Sequence, residues 1–228
     1  MCIIRPAHPA LSCTGELLAG LSALAGLSAL ATADPALAIQ THISENPAEI
    51  AFTKALSPRE SLGEGETTYT GMYDVYGLLR HNTVLTHAVH LDEHEVAPIW
   101  HACDADIAHC PTSNFNLRSG CACVGMLLNA GVEVGLGTDV PGGFPLSMLT
   151  AVQHASICAK VVPAAGPPPA HTTFTDRQLP VPSLLHLATL GSAAVCALAQ
   201  HVGSRPARRS AWATRPCGAS HFAWSPVF

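Results

Sequence analysis

The chain has 228 residues, of which 48% are hydrophobic and 12% are charged, and its formal net charge is −5. The high hydrophobic share predicts a folded protein and excludes intrinsic disorder. Only 11 Lys and Arg residues stand against 16 Asp and Glu residues, which argues against a protein that binds nucleic-acid phosphates. We therefore expect no nucleic acid among its partners.

The nine cysteines are irregularly spaced, and no CxxC pair occurs. An odd count without a regular framework is typical of reduced thiols in an intracellular protein, so we expect a cytoplasmic location. Leu17–Ala31 is a run of Leu, Ala, Gly and Ser that precedes a cleavage-like Ala-Thr-Ala. Because the run is too short to span a bilayer and follows Glu16, we interpret it as a helix and expect no membrane partner; a secretory signal is the open alternative.

From Leu37 onward, short apolar runs that predict strands alternate with stretches that predict helices. The predicted strands end in polar residues and cover Leu37–Thr41, Thr83–Thr86, Ala105–Ala108 and Val132–Leu136. The predicted helices cover Pro47–Leu56, Asp92 to about Ala102, Cys123–Asn129 and Ser147–Val162. This alternation predicts an α/β fold with a parallel sheet, and the polar strand ends predict a site at its carboxyl edge.

Three segments fall outside this alternation. Ser57–Thr70 is rich in Gly, Ser and Glu, so we expect a loop there. Pro163–Pro169 predicts a stiff connector that no helix can include. Residues 201–228 are rich in Arg and show no period. We therefore divide the chain into a folded domain over residues 1–200 and an irregular tail over residues 201–228.

The polar residues that follow the predicted strands are candidate site residues: His42 with Glu45, His87, His109 and Asp139. Two imidazoles and a carboxylate suit a borderline divalent metal such as zinc, and a nearby Glu suits proton transfer. The residues alone leave simpler interpretations open. The chain has 13 His residues, Asp favours turns, and Glu is common in the first turn of a helix.

Five stretches, in one order, resemble the guanine deaminases of the amidohydrolase superfamily. They are Thr41-His-Ile-Ser-Glu-Asn46, Thr86-His87-Ala88, His109-Cys-Pro-Thr-Ser-Asn114 with Leu117-Arg-Ser-Gly120, Gly135-Leu-Gly-Thr-Asp-Val-Pro-Gly-Gly143, and Leu187-Ala-Thr-Leu-Gly191. The resemblance implies a (β/α)₈ barrel of the metal-dependent hydrolase type. It covers roughly strands 4 or 5 to 8, so we expect a partial barrel with both ends of the family pattern, including the β-sandwich domain, missing.

The resemblance also implies a reaction, the hydrolytic deamination of guanine to xanthine and ammonia at one zinc ion. The family holds zinc with an HxH pair and then with His, His and Asp, and the last three match His42, His87 and Asp139. Glu45 matches the general acid/base, and Asp139 additionally accepts a proton from the water. His109 matches no zinc ligand.

Two further expectations follow from the resemblance. Arg5 and His8 lie near the position of the family's purine-binding Arg-Phe pair, so they are the candidate substrate-binding residues. The family also implies a homo-oligomer.

The chain departs from the family in its metal ligands, because it contains no HxH, and in its purine-binding pair, because His8 and Pro9 stand where the family has Arg and Phe. Three protein ligands remain, the minimum for a catalytic zinc site, so we expect weak zinc binding and reduced activity. The open edges of a partial barrel also favour pairing with another chain. The alternatives are therefore a deaminase of a related heterocycle, and a catalytically inactive chain that pairs with a full-length subunit.

Overall fold

The computed structural model describes residues 3–4, 38–56, 68–75, 78–80, 83–92, 94–96, 99, 105–162 and 178–199. Several predicted features lie outside these residues: Arg5, His8, the run Leu17–Ala31, the connector Pro163–Pro169 and the tail 201–228. Within the described ranges, no helix is both long enough and apolar enough to cross a membrane.

Five parallel strands form one sheet, and their order in the sheet is their order in the chain. They are β1 (Ile3–Ile4), β2 (Ala38–Ile43), β3 (Thr83–His87), β4 (Asp106–His109) and β5 (Val134–Leu136). Sequential order is typical of a barrel, whereas a doubly wound sheet reverses its order at a switch point. The described strands therefore form part of a (β/α)₈ barrel, as predicted.

Helices follow the strands. They are α1 (Pro47–Leu56), α2 (Tyr69–Val75), α3 (Pro111–Asn116), α4 (Val124–Asn129), α5 (Met148–Val161), α6 (Val181–His186), a π-helical turn (Leu187–Gly191) and α7 (Ser192–Val195). The bounds of α1 are the predicted ones. The predicted loop Ser57–Thr70 was wrong at its end, because α2 begins at Tyr69. The helix predicted from Asp92 is helical over residues 94–96, and most of its remainder lies outside the described residues.

The two faces of the sheet are buried by different partners. Ile43, Leu85 and Ile107 are fully buried in the main core. Successive residues of a strand point to opposite faces, and Val84 accordingly packs with Val195 of α7 in a separate cluster. On this second face the described residues form only a small cluster, Val84 and Val195 with the partly buried Ala108, so most of the apolar core lies on the other face.

The free edge of β5 is covered by the helical segment that follows α6. The Ser192 hydroxyl accepts a hydrogen bond from the Leu136 amide at 3.0 Å and lies 3.1 Å from the Leu136 carbonyl oxygen. Gly135 allows this approach, since a Cβ there would lie 2.8 Å from Ser192 Cα. At β5, the expectation of an open sheet edge was therefore wrong.

Candidate active site

The carboxyl ends of the strands bring four predicted site residues together. His87 Nε2, at the end of β3, lies 3.7 Å from Glu45 Oε2 and 3.9 Å from Asp139 Oδ2. The His42 ring, near the end of β2, stacks on the His87 ring with a centroid separation of 5.0 Å. Three of the four are buried, and Asp139 is partly exposed. This confluence of two imidazoles and two carboxylates is the candidate site.

Left-handed backbone occurs at three points around this site. Ser44, His87 and Asp139 have φ angles of 47°, 78° and 49°. Such angles are unfavourable for residues other than glycine, and they cluster at functional sites where the surrounding structure holds them. At each of these points the chain turns out of its strand, and the turn brings the polar side chain to the edge of the sheet.

The start of α1 fixes the turn that carries Glu45. The backbone amides of Glu45 and Asn46 donate to Glu49 Oε2 at 2.9 and 3.3 Å, and the Glu49 amide donates to Asn46 Oδ1 at 2.9 Å. This is a reciprocal helix cap. The buried Tyr69 hydroxyl donates to the other Glu49 oxygen at 2.7 Å. The turn that carries Glu45 is therefore held by the Glu49 carboxylate, which accepts hydrogen bonds from the turn's own amides on one oxygen and from Tyr69 on the other.

Three residues between 113 and 119, which we call the supporting segment, each hold one site residue. Ser113 Oγ donates to Asp139 Oδ2 at 2.7 Å, and Ser119 Oγ donates to Glu45 Oε1 at 3.0 Å. Asn114 Oδ1 lies 2.9 Å from His87 Nδ1. Sequence reasoning assigned no role to these residues, although the motifs that carry the resemblance contain all three.

Tyr73 of α2 holds the backbone at His42, and sequence reasoning assigned it no role either. Its hydroxyl donates to the His42 carbonyl oxygen at 2.8 Å and lies 3.1 Å from Thr41 Oγ1. The tyrosine is fully buried. These contacts of its hydroxyl therefore link the end of β2 to α2.

His109, at the end of β4, is also a strand-end histidine, and it is fully buried. Neither ring nitrogen has a hydrogen-bond partner among the described residues. Burial, and secondarily the neighbouring His87, lower the pKa of His109 to about 3. The imidazole is therefore neutral near pH 7, and its assignment as a non-ligand stays a prediction.

The donor chemistry of the site suits a metal ion. Within the described ranges, no three His, Cys, Asp or Glu side chains stand close enough together to hold one. The types of donor nevertheless fit zinc, since imidazole nitrogen and carboxylate oxygen are its usual ligands. His87 Nε2 faces two carboxylates, and a cation there would neutralise them.

Comparisons with known proteins place the chain in a family. The amidohydrolase family pattern matches residues 6–214. A probable guanine deaminase of Schizosaccharomyces pombe is 40% identical over 194 residues, which are 85% of this chain and 33% of that protein. The structure of E. coli guanine deaminase superposes with a TM-score of 0.68 at 29% identity, covering 85% of this chain and 39% of the enzyme.

A further structure is that of a guanine deaminase from C. acetobutylicum with guanine bound in its active site. It superposes with a TM-score of 0.64 at 29% identity and covers 81% of this chain and 40% of that one. The chain thus spans about a third to two fifths of the length of these relatives. The match confirms the predicted fold. Since the family pattern extends over most of its residues, the chain belongs to the amidohydrolase family.

Proposed function

We propose that the chain is guanine deaminase-like and acts in the hydrolysis of guanine to xanthine and ammonia. The observation that carries the proposal is the placement of two carboxylates, Glu45 and Asp139, within 3.9 Å of His87 Nε2 at the carboxyl edge of a parallel sheet. The similarity to guanine deaminases, one of them with guanine bound, supports guanine as the substrate.

We assign the zinc-holding role to His42, His87 and Asp139. A zinc ion held by these residues would act as a Lewis acid and would lower the pKa of water, so that hydroxide would be available near neutral pH. Two imidazoles and one carboxylate satisfy the minimum of three protein ligands for a catalytic zinc site.

Glu45 is assigned the proton-transfer role. Ser119 donates to Oε1, while Oε2 is the oxygen that faces His87. In the reaction, the oxygen of water bonds to the purine carbon that bears the amino group, and the carbon–nitrogen bond breaks. One proton of the water ends on the departing ammonia and the other on the purine ring. A buried carboxylate beside the reacting carbon suits both transfers.

The test is ammonia release from guanine by the purified chain supplied with zinc. We expect slow turnover that Glu45→Gln lowers by about 10²- to 10⁴-fold, because the amide cannot exchange protons. Zinc content, measured by elemental analysis, should be the same in both proteins. Glu133→Gln is the matched control, since this carboxylate lies outside the site beside His186 and should leave turnover unchanged.

Two results would contradict the proposal. The first is turnover that Glu45→Gln leaves unchanged, and the second is a chain that holds one zinc ion yet releases no ammonia from guanine. Faster ammonia release from a different amino-substituted heterocycle would instead favour the related deaminase.

A further inference from the structure

Three cysteines lie together outside the candidate active site, where the segment before α4 meets α5. Cys121 and Cys123 flank Ala122 just before α4, and Cys158 belongs to the last turn of α5. All three are free thiols. We infer that Cys121 and Cys158 form an oxidisable pair, which a hydroperoxide such as hydrogen peroxide converts to a disulfide. The proposed hydrolysis uses none of these thiols, so the pair is a second site on the chain.

The contacts of Cys158 bring its thiol to Cys121. Cys158 Sγ donates to the Ala122 carbonyl oxygen at 3.6 Å, which fixes the side chain against the residue directly after Cys121. The Cys158 thiol is also hydrogen-bonded to the Cys121 thiol. An S–S bond is ~2.05 Å long, so the two sulfur atoms must still move from hydrogen-bonding contact to bonding distance. The folded chain therefore holds as neighbours two sulfur atoms whose residues lie far apart in the sequence.

The two thiols differ in their access to solvent. Cys158 is 1% exposed, whereas Cys121 is partly exposed. Burial, and secondarily the neighbouring Cys121, raises the pKa of the Cys158 thiol above its ordinary value. The thiolate is the nucleophile, and an oxidant from solvent must reach it. Oxidation therefore begins at Cys121, and Cys158 is the thiol that completes the disulfide.

The reaction with hydrogen peroxide takes two steps. In the first, the Cys121 thiolate attacks a peroxide oxygen, so that an S–O bond forms and the O–O bond breaks. The products are a sulfenic acid and hydroxide, and the hydroxide takes up the proton that the thiol released. In the second, the Cys158 sulfur attacks the Cys121 sulfur, the S–S bond forms and the S–O bond breaks. The Cys158 proton leaves with this oxygen as water, so the thiols lose two electrons and the peroxide becomes two waters.

Cys123 is the competing partner, because it is close in sequence to Cys121 and is also partly exposed. Its relation to Cys158 is different. Cys121 contacts Cys158 through a hydrogen bond, whereas Cys123 acts on Cys158 only through charge and has the smallest effect on its pKa. Cys121 is therefore the assigned partner of Cys158.

The disulfide would also link the supporting segment to α5. Ser119, a member of that segment two residues before Cys121, donates to Glu45 Oε1 at 3.0 Å. Thr112, at the other end of the same stretch, already lies 2.7 Å from His154 Nδ1 of α5. Oxidation would therefore add a covalent link to α5 close to the residue that holds Glu45.

Mass spectrometry of the full, metal-free chain tests the pairing. The native protein is treated with hydrogen peroxide, and the remaining thiols are alkylated in denaturant. Trypsin together with a glutamate-specific protease then yields peptides 119–133 and 134–160. The first carries Cys121 and Cys123, and the second carries Cys158. We expect the two peptides to be joined by a bond that dithiothreitol breaks, and the link to be a minor product when the chain is oxidised in concentrated urea.

Single substitutions identify the two partners. Cys121→Ser should abolish the link, and Cys123→Ser should keep it. Cys158→Ser should abolish it and leave a sulfenic acid on Cys121, which a dimedone reagent labels. The matched control is Cys196→Ser, which removes another partly buried thiol, next to α7, and should change nothing.

An oxidised wild-type chain without the link would overturn the inference, and this measurement needs no variant to fold. A link that survives in Cys121→Ser would assign the bond to Cys123 and would overturn the inference equally.

Discussion

The burial of His109 makes the folding stability of the chain depend on pH. Burial lowers its pKa to about 3 in the folded protein, against about 6.5 in an unfolded chain. Between these two values the unfolded state binds the extra proton. Folding stability contributed by the neutral ring is therefore fully present above about pH 6.5 and is lost as the pH falls toward 3, by up to about 1.4 kcal/mol per pH unit.

Replacing His109 by Leu should remove this dependence. We expect the free energy of unfolding of the wild type to fall more steeply between about pH 6.5 and 5 than that of His109→Leu. Urea unfolding of metal-free protein at both pH values measures the difference. His94→Leu, which removes an exposed histidine, should keep the wild-type slope. Equal slopes in the wild type and His109→Leu would show that the ring titrates normally.

Single residues also mark the limit of what the sequence predicts about the site. The strand-end rule predicted His42, Glu45, His87 and Asp139, because parallel strands bring their carboxyl ends to one edge. It could not predict the supporting segment. The hydrogen bonds of this segment join residues 26, 27 and 74 positions apart, and such pairs are set by helix placement in three dimensions. A motif resemblance was the only signal for them.

At the scale of elements, the Ser192 hydroxyl is one of the contacts that cover the edge of β5. Ser192 Oγ bonds the Leu136 amide at 3.0 Å and lies 3.1 Å from the Leu136 carbonyl oxygen, groups that a neighbouring strand would otherwise pair. Ser192→Ala leaves the Leu136 amide without its acceptor, and it removes a hydroxyl hydrogen for which the Leu187 and Leu136 carbonyl oxygens, at 2.7 and 3.1 Å, are the two candidate acceptors. We expect the free energy of unfolding to fall by about 1–3 kcal/mol, the usual cost of an unsatisfied buried polar group.

Chemical denaturation of the two proteins measures this loss. Ser156→Ala is the matched control, since it makes the same change on α5, away from the sheet edge, and should alter the free energy of unfolding by less than about 0.5 kcal/mol. A Ser192→Ala protein as stable as the control would show that water satisfies the β5 edge equally well.

The elements differ in how far the sequence predicts them. The bounds of α1 follow from Asn46, Pro47 and Glu49, which form a local cap that needs no distant partner. By contrast, α3 was missed because Pro111, Thr112, Ser113 and Asn114 are typical of turns. Its side chains bond α5, β3 and the loop after β5. Tertiary contacts therefore stabilise a helix that local propensity disfavours.

In the π-helical turn Leu187–Gly191, tertiary contacts again bear on the local structure. The sequence offers this segment only as part of a family motif, and the structure makes it helical with the wider hydrogen-bond spacing of a π-helix. Gly191 lies against β5, where a Cβ would come within 2.6 Å of the Val134 carbonyl oxygen. The fit to the sheet edge is a property of the folded chain, so a periodic pattern cannot report the change in helix type.

At the scale of the whole molecule, the candidate site links elements that are far apart in the chain. His42 belongs to β2, His87 to β3 and Asp139 to the loop after β5. A ligand that binds all three must hold these elements together, and it binds the folded state in preference to the unfolded one. Ligand binding of this kind raises stability by an amount that depends on concentration and affinity, about 2.7 kcal/mol at 100 times the dissociation constant.

Zinc should therefore raise the thermal unfolding midpoint of the chain in proportion to the logarithm of its concentration once the site is filled. We expect the increase to be lost in Asp139→Asn, which removes one assigned ligand, and to persist in Glu133→Gln. Magnesium, which prefers sites of oxygen ligands, should give no comparable increase. Differential scanning calorimetry under reducing conditions, to keep the thiols from oxidation, makes the measurement. A zinc-dependent increase that survives Asp139→Asn would place the stabilising ion elsewhere in the chain. An ion held by His42, His87 and Asp139 would bind more weakly once its only carboxylate ligand is removed.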